Sequence, residues 1–338
     1  MNLSTSIESI HNSLPNRDAC IKFLNIIKYC KDPGMRLFSW MKILHGDDFE
    51  INEDKVRKMY KSYQGYLNDV GDDPLSKVDK KEGFVIKADV DRSLSHYKML
   101  GAEIGLTEDD MSEGCDAAAK ILVILSLKYG LKYIQGYDRY VYLVYLLSLS
   151  YTTQINEERS LAEMFTVEIC QKFLKIVNFK KFLDRPDDLE KYFDNCDKRI
   201  KEELPKKNKC SYEVIQKNNC KSILFGVKWR LLLFSDENDA KGTFLVFDSF
   251  ISHSGNEKEF EKHFEDLFIG HLKDININSS NNIYETIQQK RFLGKNILKT
   301  LQNTKNLEHE SSSNFVNLIF FIIMIFVIIY LRHLITPK

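Results

Sequence analysis

The chain has 338 residues, and its lysines and arginines balance its aspartates and glutamates at 48 each. That length holds one large or two small globular units, and the balance leaves no basic excess for a nucleic-acid partner. Seven cysteines, at 20, 30, 115, 170, 196, 210 and 220, form no Cys-x-x-Cys pair and read as reduced packing thiols rather than a disulfide framework.

The opening MNLSTSIESIHNSLPNRDAC lacks the charged and apolar regions of a secretory signal, so the body is expected to stay on the cytosolic side of a membrane. Six prolines and fifteen glycines interrupt the chain, and most apolar residues recur at three- and four-residue spacing. This pattern predicts an all-α fold. After an N-terminal extension, 1–17, helices are expected over Asp18–Cys30, Leu37–Leu44 and Glu53–Tyr66. The most apolar stretch of the body, Ala117–Leu147, is divided by Gly130 and Gly136 into two helices joined by a short loop. The first ends on a glycine suited to a left-handed C-cap. The second, about Asp138–Tyr151, can bury nearly all its faces. Further helices fit Leu161–Val177, Asp187–Glu203 and Glu257–Leu272. Ser222–Phe234, SILFGVKWRLLLF, is assigned to helix, although its large apolar residues also suit strands. Gly71–Lys81 and the lysine-rich Leu204–Asn219 read as solvated loops. From 273 to 314 the chain reads as a polar arm, with a flexible link around INSSNN and a helix near Tyr284–Leu301.

Phe315–Leu331, FVNLIFFIIMIFVIIYL, carries no charge and one polar side chain, Asn317. As a helix it would span ~26 Å, close to a hydrocarbon core. Tyr330 suits the interface, and Arg332, His333 and Lys338 follow it in the tail 332–338. One transmembrane helix is therefore expected there, with the tail on the lumenal side.

No Gly-x-x-x-x-Gly-Lys-Ser/Thr loop is present, so the chain offers no phosphate cradle of its own. The eight histidines, at 11, 45, 96, 253, 263, 271, 309 and 333, form no His-Glu-x-x-His. Paired aspartates lie in polar contexts, and no metal site is expected.

Three patterns stand out in chain order. Arg36-Leu-Phe-Ser-Trp40 puts an arginine and a tryptophan one helical turn apart. Ile86-Lys-Ala-Asp89-Val-Asp-Arg92 puts Ile86, Asp89 and Arg92 on neighbouring turns, with Ser93 next. Tyr133-Ile-Gln135-Gly136 falls in the loop between the two apolar helices. This ordered set resembles the signature of the TBC domain, the helical catalytic domain of GTPase-activating proteins for Rab GTPases, whose motifs are Arg-x-x-x-Trp, Ile-x-x-Asp-x-x-Arg and Tyr-x-Gln-Gly. Trp229 before Leu-Leu-Leu-Phe, and Phe247-Asp248-Ser-Phe250, are similar to segments of its second half. The resemblance spans 18–272 and implies a two-lobed all-α TBC domain, followed by the polar arm and the C-terminal transmembrane helix.

It also implies roles. Arg92 would be an arginine finger and Gln135 a glutamine finger, supplied in trans to a Rab GTPase in its GTP form. Asp89, Ile86, Tyr133 and Gly136 would support them, while Arg36, Trp40, Trp229 and Asp248 would be structural. The chain would be an enzyme activator with no cofactor of its own, acting on GTP and Mg²⁺ held by its partner. A TBC domain followed by a membrane span is similar to the tail-anchored subgroup of the endoplasmic reticulum, which implies a Rab of endoplasmic reticulum to Golgi traffic. The endoplasmic reticulum membrane is the expected location, although a short span also suits the Golgi. One departure leaves two readings open. The family commonly has an acidic residue where this chain has Arg139, with Asp138 one place earlier. Either the acid is displaced within one local network, or the protein is a catalytically inactive, membrane-anchored Rab-binding adaptor.

Overall fold

Helices form where the apolar spacing predicts them, and several begin on a side chain that satisfies their first free amides. The computed structural model describes residues 3–299 apart from 27–31, 47, 276, 278–282 and 289–292. Among the described residues there is no strand. The order is α1 Leu3–Ser13, α2 Arg17–Ile26, α3 Pro33–His45, α4 Glu53–Val70, α5 Lys80–Arg92, α6 Leu94–Glu103, α7 Gly114–Tyr129 and α8 Tyr137–Gln154. It continues with α9 Arg159–Val177, α10 Lys180–Asp184, α11 Pro186–Lys207, α12 Lys209–Lys217, α13 Ile223–Leu232, α14 Ala240–Ser252, α15 Glu257–Asp274 and α16 Ile283–Gln288. Asp32 caps α3 by accepting from the Met35 amide, Asn52 caps α4, Asp239 caps α14 and Asn256 caps α15.

One unit, Met1–Lys295, holds these helices; a second, Asn296–Lys338, is described only over 296–299, which are helical. In the first unit α8 is the central element. Its side chains from Tyr137 to Thr152 are buried apart from that of Arg139, as expected of a helix that is apolar nearly all round. It packs against α9, α3, α7 and α6. Tyr140 meets Phe173 of α9 and Phe247 of α14, with ring centroids 5.9 and 5.4 Å apart.

A second group of helices gathers around Arg230 of α13, whose side chain is fully buried. Its guanidinium donates to both carboxylate oxygens of Glu261 in α15, at 3.1 and 2.8 Å, and to the Val177 carbonyl at 2.7 Å. It also lies 5.2 to 5.8 Å from the ring centroids of Phe182, Phe260 and Phe264. A planar, weakly hydrated cation tolerates such a site when it is paired and ringed by aromatic faces, although Nη1 itself has no hydrogen-bond partner among the described residues.

Chain-distant halves meet at Asp248. Arg36 Nε donates to Asp248 Oδ2 at 3.2 Å, and Trp40 Nε1 donates to Oδ1 at 2.8 Å. The guanidinium also faces the Phe244 ring at 5.2 Å. Arg36 thus ties α3 to α14, and Trp40 shares its carboxylate. Trp229 packs separately, among Phe225, Phe234, Phe268 and His271.

Three expectations change. The lysine-rich 204–219 is not a loop, since α11 runs through Pro205 to Lys207 and α12 follows. Pro205 sits in the last turn of α11, where it removes one backbone hydrogen bond just before the helix ends. Asn208 then caps α12, and Leu204, Ser211 and Ile215 turn inward while the lysines face water. The extension 1–17 contains α1, with Ile7 and Ile10 buried and Ser6 accepting from the Tyr151 hydroxyl at 3.0 Å. The start of the arm is not a free link where it is described. Ser211 Oγ donates to the Ile275 carbonyl at 2.6 Å and accepts from the Ile277 amide at 3.2 Å. Further on, Gly294 donates its amide to Asn238 Oδ1 at 2.7 Å and lies so near Gly242 that a Cβ would come within 2.4 Å of its Cα. Ile275, Ile277, Ile283, Ile287 and Leu293 are buried. These spaced apolar residues outweigh the asparagines and serines between them.

No helix among the described residues is long and apolar enough to cross a membrane. The expected transmembrane run, Phe315–Leu331, lies outside the described residues.

Removing one partner of the Asp248 tie leaves buried polar groups without their match. Asp248→Ala is therefore expected to lower the unfolding free energy by about 3 to 5 kcal/mol, as read by chemical denaturation.

Burial, with His253 adding to it, holds the imidazole of His263 down to about 3. Burial and then Lys172 hold that of His45 down to about 4. Both stay neutral in the fold while the unfolded chain takes up protons below its ordinary histidine range. Stability should therefore fall as pH drops from about 6.5 towards 4, by up to about 1.4 kcal/mol per pH unit for each histidine. His263→Gln should flatten that acid slope by one histidine's share, as measured by denaturation at stepped pH.

Candidate functional site

Two short connections meet on one surface of the first unit. The first is the end of α5. Asp79 caps its start by accepting from the Lys81 and Glu82 amides at 2.9 and 3.4 Å. Ile86 and Val90 face inward with no exposure. The helix stops at Arg92, where the Ser93 amide bonds back to the Asp89 carbonyl at 3.0 Å. A cation in the last turn suits the helix dipole. The Arg92 side chain is 63% exposed, while that of Asp89, one turn earlier, is 5% exposed.

The second connection links α7 to α8. Gly130 ends α7 at φ +65°, and Gly136 starts α8 at φ +105°. Only glycine adopts the latter without strain. A Cβ at Gly136 would also lie 2.8 Å from Leu232 at the end of α13. The glycine therefore serves close packing against α13 as well as backbone freedom. Glu82 staples this loop to α5, with Oε1 accepting from the Tyr133 amide at 3.2 Å and from Ser126 Oγ at 3.0 Å.

Asp89 is the meeting point. Its Oδ1 accepts from Arg92 Nη2 at 2.5 Å and from Gln135 Nε2 at 3.4 Å, and its Oδ2 accepts from the Tyr133 hydroxyl at 2.8 Å. Arg92 and Gln135, from separate motifs, are thus held on one carboxylate, and the bond from Gln135 to Asp89 bridges 46 positions of chain. The pair formed by Arg92 is half in water and contributes about 0 to 1 kcal/mol. Such a hold fixes direction while costing little to break.

Behind this shell lies Asp138, in the first turn of α8 and 2% exposed. Its Oδ1 is 3.0 Å from the Tyr133 hydroxyl, and its Oδ2 accepts from the Ser93 hydroxyl. Arg139 reaches Asp236 at 3.7 Å, with its Nε 3.9 Å from Asp138 Oδ2. Burial pushes the Tyr133 phenol up, and the charges of Asp138 and Asp89 push it further. Burial likewise raises the Asp138 carboxyl, against its hydrogen-bond contacts with Ser93 and Tyr133 and the charge of Arg139.

The structure thus gathers Asp89, Arg92, Tyr133, Gln135 and Gly136, with Ile86 as the buried footing of their helix. Arg36, Trp40 and Asp248 form their own tie elsewhere. Three further residues belong to the site: Glu82, Ser93 and Asp138. Ser93 directly follows Arg92, and Asp138 stands two places after Gly136. Glu82 carries no sequence signal, since its role arises only when the loop folds onto α5. Of the two readings of Arg139, the geometry fits the displaced acid, because Asp138 enters the network and Arg139 turns to Asp236.

The family profile of the Rab-GTPase-TBC domain matches residues 33–265. The chain belongs to this family. Its fold is similar to the crystal structure of the Ypt/Rab-GAP domain of Gyp1p, with a TM-score of 0.59 and 13% sequence identity, over 90% of this chain and 98% of that one. At that identity the likeness is one of fold. A comparison with curated proteins finds no significant match. The TBC domain supports a Rab GTPase-activating function and implies a Rab GTPase as partner. Both connections described above, with Arg92 and Gln135, fall within the matched residues.

Proposed function

We propose that this TBC protein accelerates GTP hydrolysis by a Rab GTPase through Arg92 and Gln135, supplied to the partner's nucleotide site. The observation that carries this reading is the convergence of an exposed arginine and an exposed glutamine on one carboxylate oxygen at the protein surface. Hydrolysis is slow in an isolated GTPase because charge builds on the phosphate oxygens and the attacking water is poorly held. Arg92 can meet the first need with a forked guanidinium that is always charged. Gln135 can meet the second, since its amide both accepts from water and donates to phosphate oxygen. GTP and Mg²⁺ are the partner's, and the chain's own residues position donors around them. Asp89 keeps both side chains aimed outward until phosphate competes for them. The alternative, an inactive adaptor, rests on Arg139; the place of Asp138 in the network supports the activating reading instead.

The apolar run Phe315–Leu331 is proposed to hold the protein in a membrane, with the TBC domain on the cytosolic face where Rab proteins are met. Confinement to one surface raises the effective concentration of activator and substrate there. The length of the run suits the thinner bilayer of the endoplasmic reticulum. A Rab of the early secretory pathway is accordingly the proposed substrate.

In a hydrolysis assay across Rab GTPases, Arg92→Ala and Gln135→Ala should each remove most of the stimulation, on the order of 10³-fold for the arginine, with unchanged thermal unfolding. Full activity in Arg92→Ala would sink the assignment. Replacing residues 315–338 with a soluble tail should leave hydrolysis in solution unaltered and shift the protein from the membrane pellet to the supernatant on cell fractionation.

A further inference from the structure

The hydrogen bonds around Tyr133 do not close if both neighbouring carboxyl groups are ionised. Its hydroxyl oxygen lies 2.8 Å from Asp89 Oδ2 and 3.0 Å from Asp138 Oδ1. One hydroxyl hydrogen satisfies only one of these directions. If it points to Asp138, Asp89 Oδ2 faces a lone pair; if it points to Asp89, Asp138 Oδ1 does. Ser93 cannot supply the missing hydrogen, because its own is committed to Asp138 Oδ2. Unmatched lone pairs at buried sites are costly.

A proton on Asp138 Oδ1 completes the chain. Asp138 then donates to Tyr133, Tyr133 donates to Asp89, and Asp89 remains the one anion, with its other oxygen free to receive Arg92 and Gln135. We propose that Asp138 is a positioning residue that works as a neutral acid, its carboxyl proton orienting Tyr133 towards Asp89 and so setting the aim of Arg92 and Gln135. This inference rests on the Rab GTPase-activating reading for its consequence, though not for its geometry.

The surroundings agree. The groups facing Asp138 are Asp89 from α5, Ser93 at the start of α6, Tyr133 from the loop and Arg139 from its own helix. Arg139 is the one cation among them. Its nearest nitrogen stands 3.9 Å away, beyond hydrogen-bond distance, and its guanidinium also serves Asp236 at 3.7 Å. Burial, the largest influence, favours the neutral carboxyl and the charge of Asp89 adds to it, while the hydrogen bonds with Ser93 and Tyr133 and the charge of Arg139 oppose it, with a net rise.

Asp138→Asn imitates the protonated acid, because its amide can donate to Tyr133 and its carbonyl can accept from Ser93. Asp138→Ala removes both functions. With the full chain acting on a GTP-loaded Rab GTPase, Asp138→Asn should keep the maximal stimulated rate within about threefold of wild type. Asp138→Ala should lower that rate on the order of 10- to 100-fold, as misaimed groups do, with the half-saturating Rab concentration unchanged. Equal impairment of both variants, or a wild-type rate in Asp138→Ala, would overturn the proposal. A second readout needs no Rab. The infrared difference spectrum of wild type minus Asp138→Asn at neutral pH should contain the C=O stretch of a protonated carboxylic acid, and a carboxylate pair in its place would refute the inference. Absence of stimulation by wild type with that acid band present would instead count against the activating reading alone.

Discussion

The fold is closed by one buried carboxylate. Asp248 takes a guanidinium from Arg36 and an indole N–H from Trp40, and so joins α3 to α14 across 212 positions of chain. Burial alone raises that carboxyl, and the two donors oppose the rise. An aspartate in so dry a place is tolerable only with its donors present. With α3 and α14 fixed, α8 has walls on its remaining sides and can bury tyrosine and leucine all round. The firmness of α8 in turn fixes where its first turn begins, at Gly136, and thus where Gln135 stands. The tie lies outside the surface that carries Arg92 and Gln135, yet that surface inherits its geometry from the tie.

Around the site, rigidity is graded. Ile86 and Val90 anchor α5 in the core, Glu82 staples the loop to that helix, and the buried Ser93 and Asp138 back the half-buried Tyr133. The outermost layer, Arg92 and Gln135, is the most exposed to water. Under the proposed function these two side chains move a short way onto a partner's phosphates, and such an arrangement suits that move, since their support is already ordered before the partner arrives.

Much of this was legible in the sequence because it depends on periodicity and on ordered short motifs. The helical spacing of Leu161–Val177 and Glu257–Leu272 located α9 and α15 to within about two residues. Gly130 and Gly136 marked the loop because positive φ has few alternatives to glycine. Three features stayed hidden, each for a physical reason. Lysine-rich composition concealed α12, whose inward face is only Ser211 and Ile215. The described start of the arm looked solvated because its isoleucines are separated by polar residues, and their burial depends on partners far away in sequence. Asp138 looked misplaced beside Arg139, and only its position in the first turn of α8 reveals which of the two side chains turns inward. The pairing of Asp248 with Arg36 and Trp40 likewise required the three-dimensional fold, because their positions are too far apart in sequence for any local pattern.

The sharing of Asp89 Oδ1 has a thermodynamic consequence. Two donors that lean on one acceptor are not independent elements: when Arg92 leaves Asp89 Oδ1, as the proposed function requires, the electron density it drew on becomes available to Gln135, and the reverse holds as well. The free energies of engaging the two side chains are therefore linked through a coupling term whose seat is a single oxygen atom. Under the proposed function, engagement of a partner by this surface is accordingly a concerted event, in which the departure of one side chain from Asp89 alters the cost for the other.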